Sequence, residues 1–145
     1  MHLKEDWNSC VVEADNGHLV FVTCRAGLDK MKASGKFGER VEIYWRYVAA
    51  PGGIPVDADG EMLGTILALL QNAMEHDLLA VLTGVYTGDG TRTIVFYTRS
   101  GRRFGERLNN ALADQPQLPI TLYVERDPEW LEYAETQKLM MQEKV

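Results

Sequence analysis

The order of hydrophobic patterns after residue 40 constrains the fold of this chain more than any other feature. Residues 41–47, VEIYWRY, alternate apolar and polar side chains, which predicts a half-buried strand. The patterns that follow predict a helix at 57–76 and then two strands, at 79–87 and 91–99, joined by Gly-Asp-Gly. A second helix at 100–116 and a last strand at 118–125 follow them. This order predicts an α+β fold, a ferredoxin-like split βαβ sandwich in which two helices cover one face of an antiparallel sheet.

Two further elements flank this core. Residues 10–24 hold two β-branched runs around Asn-Gly, a strong signal for an N-terminal β-hairpin, and residues 127–140 predict a C-terminal helix. Between the hairpin and the core, the polar and glycine-containing residues 25–39 predict a mobile connection with one helical turn at 28–33. A length of 145 residues suits one domain, so we expect residues 1–145 to form a single domain with its ferredoxin-like core at 40–126.

The two cysteines, Cys10 and Cys24, lie on either side of the hairpin turn and in no CxxC motif. A two-residue turn at Asn16 and Gly17 places them on different faces, whereas a hairpin centred on Gly17 places them opposite each other. The first register is the more usual, so we predict two reduced thiols, buried or half-buried. No apolar run is long enough to cross a membrane and the N-terminus has no signal-peptide pattern, which predicts a cytoplasmic protein.

The net charge of −6 makes nucleic acid an unlikely partner, because binding to a polyanion depends on neutralising its phosphates. The charge is also uneven along the chain. Residues 51–90 carry six acids and no Lys or Arg, while residues 92–107 carry five arginines and one acid. Such an asymmetry either steers a charged partner or reflects ordinary solvated faces.

No motif in the sequence predicts catalytic chemistry. The histidines His2, His18 and His76 are not at metal-ligand spacing with one another or with a cysteine, so we predict no metal site and no cofactor. The GxSxG motif of serine hydrolases is absent, and the cysteines have only scattered histidines as possible bases. These observations favour a protein without catalytic residues and disfavour an enzyme.

The strand patterns separate two faces of the predicted sheet. The residues expected to meet the helices are Val41, Ile43, Trp45, Ile94, Phe96, Leu118, Ile120 and Leu122. The opposite face carries a set of tyrosines and arginines, residue types enriched at interfaces, and the candidate binding residues are Tyr44, Arg46, Tyr97, Arg99 and Tyr123. Either this face binds a partner or ligand, or it is covered by the hairpin, the C-terminal helix or a second subunit.

Residues 126–135, RDPEWLEYAE, predict how the C-terminal helix begins. The carboxylate of Asp127 caps the helix and Pro128 occupies its first position, where no backbone hydrogen bond is lost. Trp130 and Tyr133 share one side of the helix at a spacing of three. We therefore interpret Asp127, Trp130 and Tyr133 as a structural anchor that folds this helix back over the sheet.

Several of these residues also carry a family resemblance, over residues 40–135. In order along the chain they are Gly84, Gly90, Arg92, Tyr97, Asp127, Trp130 and Tyr133. With the segment GVYTGDGTRTIVFYT, they resemble the bacterial proteins of domain of unknown function 695. The resemblance implies a small bacterial cytoplasmic protein with no established enzymatic role. That family is also distantly similar to the regulator of ribonuclease E activity B, a ferredoxin-like protein that binds and inhibits an enzyme.

The sequence thus predicts a non-enzymatic, protein-binding regulator or inhibitor, whose partner is another protein or a second copy of the chain. The alternative is a small anionic-ligand-binding or catalytic domain with its pocket on the open sheet face, where arginine beside tyrosine suits an anion.

Overall fold

The computed structural model describes residues 5–49, 51–53, 55 and 57–143 of the chain. In these residues the strands are β1 Trp7–Glu13, β2 Leu19–Arg25, β3 Glu39–Arg46, β4 Ala80–Gly88, β5 Thr91–Thr98 and β6 Ile120–Arg126. The helices are α1 Asp29–Ala33, α2 Asp57–Glu75, α3 Gly101–Ala111 and α4 Leu131–Glu143. No helix in the described part of the chain is both long and apolar enough to cross a membrane.

All six strands belong to one open antiparallel sheet, in the order β1-β2-β4-β5-β3-β6. The α+β class predicted from the sequence is therefore confirmed. The hairpin of β1 and β2 extends the sheet beside β4, and β6 forms the opposite edge. The last strand of the chain consequently has a neighbour, β3, on one side only.

Helices α2 and α3 cover one face of the sheet. Leu63, Ile66 and Leu70 of α2 are buried because their spacing of three and four residues places them on one side of the helix. Phe104 of α3 packs edge-on against Phe96 of β5, with ring centroids 5.1 Å apart. The strand residues buried against the helices include Val41, Ile43, Trp45, Ile94 and Phe96, as predicted, together with Leu82 and Val85.

The C-terminal segment packs against the other face of the sheet, over β2, β4 and β5. Trp130, Tyr133 and Met140 form one buried cluster with strand residues Val22, Cys24, Val81, Val95 and Tyr97. Leu28 and Phe37, which flank α1 between β2 and β3, complete this cluster. The sequence did not decide whether the polar face of the sheet is covered. The C-terminal segment covers this face over β2, β4 and β5. At the edge of the sheet, by contrast, six of the seven residues of β6 are exposed.

The hairpin turn differs from the predicted two-residue turn. The backbone N–H of Ala14 donates to the carbonyl oxygen of His18 at 2.8 Å, so the loop has a third residue and Gly17 takes a φ of +84°. A contact with the β4–β5 turn accompanies this longer loop. Asn16 Nδ2 and His18 Nδ1 lie 3.0 and 2.7 Å from carboxylate oxygens of Asp89, a contact that local sequence rules do not include.

The changed turn also changes the relation between the cysteines. Cys10 lies opposite Val22 and Cys24 lies opposite Asn8, so the two cysteines share one face of the hairpin as diagonal neighbours. The prediction that they lie on different faces is wrong, because the three-residue loop shifts the pairing by one residue. Cys24 is buried and Cys10 is half-buried, as the sequence predicts.

Candidate functional site

The five residues predicted to form a binding face are not brought together. Tyr97 is fully buried, because the indole of Trp130 covers its ring. Arg99 is exposed just after β5, and its guanidinium carbon lies 5.2 Å from the centre of the Phe37 ring. Arg46 is exposed at the end of β3. A single pocket lined by all five side chains is therefore not formed.

Tyr44 and Tyr123 lie on the part of this face that the C-terminal segment leaves uncovered. Tyr123 pairs with Glu42, and Tyr44 pairs with Thr121, so the two tyrosines are diagonal neighbours on β3 and β6. Burial and the charge of Glu42 raise the pKa of Tyr44, and the charge of Glu125 raises the pKa of Tyr123. Both phenols therefore remain neutral hydrogen-bonding groups at neutral pH.

The three residues interpreted as an anchor are all buried: Asp127, Trp130 and Tyr133. Trp130 Nε1 donates to the carbonyl oxygen of Phe37 at 2.9 Å, and the Tyr133 hydroxyl donates to that of Arg25 at 2.6 Å. These bonds satisfy both polar ring atoms inside an apolar cluster. They also tie the C-terminal segment to residues at both ends of the α1 connection.

The start of α4 differs from the prediction. Residues 127–130 form a turn in which the Trp130 N–H donates to the Asp127 carbonyl at 3.0 Å, and Trp130 has a φ of +57°. The helix begins at Leu131, so the prediction that Pro128 is its first residue is wrong. Asp127 still caps it, because its carboxylate accepts from the N–H groups of Leu131 and Glu132 at 2.8 and 3.3 Å.

Arg40 of β3 connects this cap to the uncovered face. Its Nη1 donates to Asp127 Oδ2 at 2.8 Å and its Nη2 donates to Glu125 Oε2 at 2.6 Å. Its Nε lies 3.4 Å from Glu42 Oε2. The guanidinium thus holds one buried and two more exposed carboxylates in a fixed arrangement beside β6.

Asp127, which caps α4, and Glu132, in the first turn of α4, have pKa values shifted in opposite directions. The Tyr97 hydroxyl donates to Asp127 at 2.7 Å and lies 3.3 Å from Glu132. Burial acts to raise the pKa of both carboxyl groups. For Asp127 the hydrogen bonds that its carboxylate accepts, first from the Leu131 N–H and then from the Tyr97 hydroxyl, outweigh burial and hold the pKa below its usual range. For Glu132 burial prevails over the hydrogen bond from Tyr86, and its pKa is raised.

The β6 strand, at one edge of the sheet, carries apolar side chains that are partly exposed. Leu122, Tyr123 and Val124 are 37%, 44% and 38% exposed. Helix α3 passes over this strand with two glycines, since Cβ atoms at Gly101 and Gly105 would lie 2.8 Å from Val124 and 3.8 Å from Leu122. Leu122, predicted to pack beneath the helices, is therefore only partly covered.

The hydrogen-bond pattern shows which backbone groups of β6 face outward. The Arg46 N–H donates to the Pro119 carbonyl at 3.2 Å, and the Asp127 N–H donates to the Gly38 carbonyl at 2.9 Å. Since bonded and non-bonded pairs alternate in an antiparallel ladder, the odd-numbered residues of β6 bond to β3. The N–H and C=O groups of Leu122, Val124 and Arg126 consequently point away from the sheet, whereas the Ile120 N–H donates to the Leu118 carbonyl at 2.8 Å.

Sequence reasoning missed two features of this site. Arg40 precedes the alternating segment 41–47, and nothing local indicates that it joins Asp127 to Glu125. The exposure of Leu122 and Val124 was missed because alternation identifies a face and not an edge. The signal that could have identified it is the strand order, since the last strand of a split βαβ unit lies at the edge of the sheet.

The described residues include no group of three or more His, Cys, Asp or Glu side chains that could hold a metal ion. His2 lies outside them. Burial raises the pKa of the Cys24 thiol to about 12, so it stays protonated at neutral pH.

Comparison with known proteins identifies a family but no described activity. The model of the Family of unknown function (DUF695) matches residues 5–136, which includes the hairpin as well as the core. No curated protein matches the chain significantly, and no solved structure does. The likeness to the regulator of ribonuclease E activity B stays a prediction.

Proposed function

This chain belongs to DUF695, a family of unknown function, and we propose that it is a non-enzymatic protein-binding module that regulates or inhibits its partner. The observation that carries this proposal is the β6 edge, whose outward backbone groups have no strand beside them in the described residues. Such an edge is a template for a strand from another protein.

The side chains of β6 indicate what the added strand should look like. On the helix side of the sheet it would lie beside the exposed side chains of Leu122 and Val124, and on the other side beside Tyr123. Arg40 and Glu125 lie along that second side. We therefore expect an extended segment that alternates apolar residues with polar or charged ones.

The proposal also includes a ferredoxin-like arrangement of the core and a cytoplasmic location. Strands β4, β5, β3 and β6 with helices α2 and α3 have the order of elements of a ferredoxin-like unit, which supports that assignment. A cytoplasmic location in a bacterium is part of the proposal. The buried Cys24, which forms no disulfide, supports a reducing compartment.

A test uses peptides selected from a phage-displayed library of seven-residue sequences, the length of β6. Leu122→Pro removes an outward-facing N–H and leaves the ladder to β3 intact, a position where edge strands tolerate proline. Leu122→Ala removes the same side chain but keeps the N–H. We expect the Pro variant to bind selected peptides about tenfold more weakly than the Ala variant, because an unpaired acceptor costs about 1–3 kcal/mol.

Three outcomes decide the proposal. Equal binding to the Pro and Ala variants, both folded by circular dichroism, would show that the backbone edge is not the binding site. Failure to enrich any peptide, with a wild-type protein that is monomeric by analytical ultracentrifugation, would also reject the edge. A wild-type dimer that the Pro variant dissociates would support strand addition by a second copy of the chain.

The alternative function, binding of a small anionic ligand, is supported by an observation on the opposite face. Arg92 lines a cavity there without a carboxylate partner among the described residues.

A further inference from the structure

A cavity of about 200 Å³ lies between α2 and the sheet, on the side of the hairpin. Its lining includes the apolar residues Leu67, Leu82 and Val85, together with Trp7, Thr23 and Gln71. The guanidinium-bearing side chain of Arg92, from β5, also lines it. The cavity is separate from the β6 edge, because β3 lies between β5 and β6.

Arg92 differs from the other partly or fully buried arginines in having no acidic partner within residues 5–49, 51–53, 55 and 57–143. Arg25 bonds to Glu75 at 2.7 Å and Arg40 bonds to Asp127 at 2.8 Å. The Nε of Arg92, in contrast, is shielded from solvent and has no hydrogen-bond partner in the part of the chain that the structure describes. Buried polar groups in proteins are normally hydrogen-bonded, so the Nε–H of Arg92 is a donor for which no described residue supplies an acceptor.

The electrostatics of Arg92 agree with a missing partner. Burial lowers the pKa of its guanidinium, which means that the protein environment disfavours the charge. The group nevertheless stays protonated, since an arginine remains charged at any physiological pH. An anion bound beside it would offset the cost of that burial.

The size and lining of the cavity limit the class of anion. The cavity volume of about 200 Å³ is smaller than the roughly 300–1,000 Å³ of most small-molecule and cofactor sites. The lining combines one cation, Arg92, with three apolar side chains, so it suits a ligand that has one negative charge and an apolar remainder. Glu5, bonded to Gln71 at 2.8 Å, would repel a second negative charge near Gln71.

We propose that this cavity binds a small monocarboxylic acid, with the carboxylate on Arg92 and the apolar tail against Leu67, Leu82 and Val85. The carboxylate accepts N–H bonds from the guanidinium in the planar geometry that arginine presents. The tail displaces water from an apolar wall, which adds to the affinity. The binding of such an acid is independent of strand addition at β6.

The test is a titration of the full chain with butyrate, isovalerate and benzoate, each paired with its neutral primary amide, by isothermal calorimetry and by ¹H–¹⁵N spectra. We expect at least one acid to bind about tenfold or more tightly than its amide, a difference of about 1.4 kcal/mol. The amide signals of Leu82 and Val85 and the indole signal of Trp7 should shift.

Arg92→Met keeps the apolar stem and removes the charge, so it should abolish the preference for acid over amide. It should also fold, because methionine fills much of the same space and removes a buried N–H that has no hydrogen-bond partner among the described residues. Arg102→Met is the matched control: the Arg102 side chain is 88% exposed and pairs only with Glu106 among the described residues, so the preference should persist.

Three results would overturn the proposal. The first is the absence of binding by every acid at concentrations up to about 10 mM, where a site with a dissociation constant of about 1 mM would be nearly saturated. The second is an acid preference that survives Arg92→Met. The third is a set of signal shifts that maps away from the cavity, on exposed arginines such as Arg102.

Discussion

The indole of Trp130 lies almost parallel to the phenol ring of Tyr97, with ring centroids 4.3 Å apart and ring planes inclined by 19°. This stack joins the segment before α4 to a central strand of the sheet. It also removes Tyr97 from the face on which the sequence predicted a binding site. The uncovered part of the polar face, which is the part still open to a partner, therefore lies on β3 and β6.

Replacing Trp130 with Ala should lower the free energy of unfolding by about 3–5 kcal/mol, because the ring is buried and its loss leaves a cavity. Urea denaturation followed by circular dichroism measures the loss. Leu131→Ala is the control, since its side chain is 61% exposed and should change stability by no more than about 0.5 kcal/mol. A loss below about 1 kcal/mol for Trp130→Ala would contradict the anchor role.

The order of strands and helices could be predicted because each element carries its own periodic pattern. Ile43 and Trp45, for example, face α2 and α3 because alternation in a strand is a local property. The same rule holds for Ile66 and Leu70 in α2. The sequence therefore predicts the elements of the core and the face of each strand that the helices cover.

The features that could not be predicted depend on contacts between distant residues. The hairpin loop gains a residue where Asn16 meets Asp89, 73 positions along the chain. The start of α4 moves to Leu131 because Trp130 adopts a positive φ, which a bulky residue seldom does. Alternation also placed Tyr97 on the polar face without indicating that an indole covers it.

Asp127→Asn should weaken the protein at neutral pH and make its stability less sensitive to acid. The pKa of Asp127 is held below its usual range, so its contribution is present above the unfolded-state pKa of about 3.9. That contribution is lost as the pH falls through the lower, folded-state pKa. We expect the gap in urea midpoint between wild type and variant to narrow between about pH 5 and pH 2. A constant gap would contradict the role of the charge.

Glu132→Gln should change the pH dependence of stability in the opposite direction. The pKa of Glu132 is raised by burial, so the folded state holds this proton more tightly than the unfolded state. Wild-type stability then falls as the pH rises from the unfolded-state pKa of about 4.3 to the higher, folded-state pKa. Across that window the variant should gain stability relative to wild type, as measured by urea denaturation. The exposed Glu135, changed to Gln on the same helix, is the control and should show no such gain.

The buried pair of Arg25 and Glu75 should show strong coupling in a double-mutant cycle. Arg25 is completely buried, and its Nη1 bonds to Glu75 Oε2 at 2.7 Å, an oxygen that also accepts the N–H of Leu82 at 2.8 Å. Arg25→Met alone should cost about 3–5 kcal/mol, because it leaves the carboxylate of Glu75 without its cation.

Glu75→Gln keeps an acceptor for Leu82 while removing the charge, so the double variant Arg25→Met/Glu75→Gln should be less destabilised than the sum of the single variants. We expect an interaction energy of about 1–3 kcal/mol from urea denaturation of the four proteins. The exposed pair of Arg102 and Glu106, 3.4 Å apart, provides the comparison. Its coupling should stay below about 1 kcal/mol, because solvent screens both groups. Equal coupling in the two pairs would mean that burial of Arg25 adds nothing to the interaction.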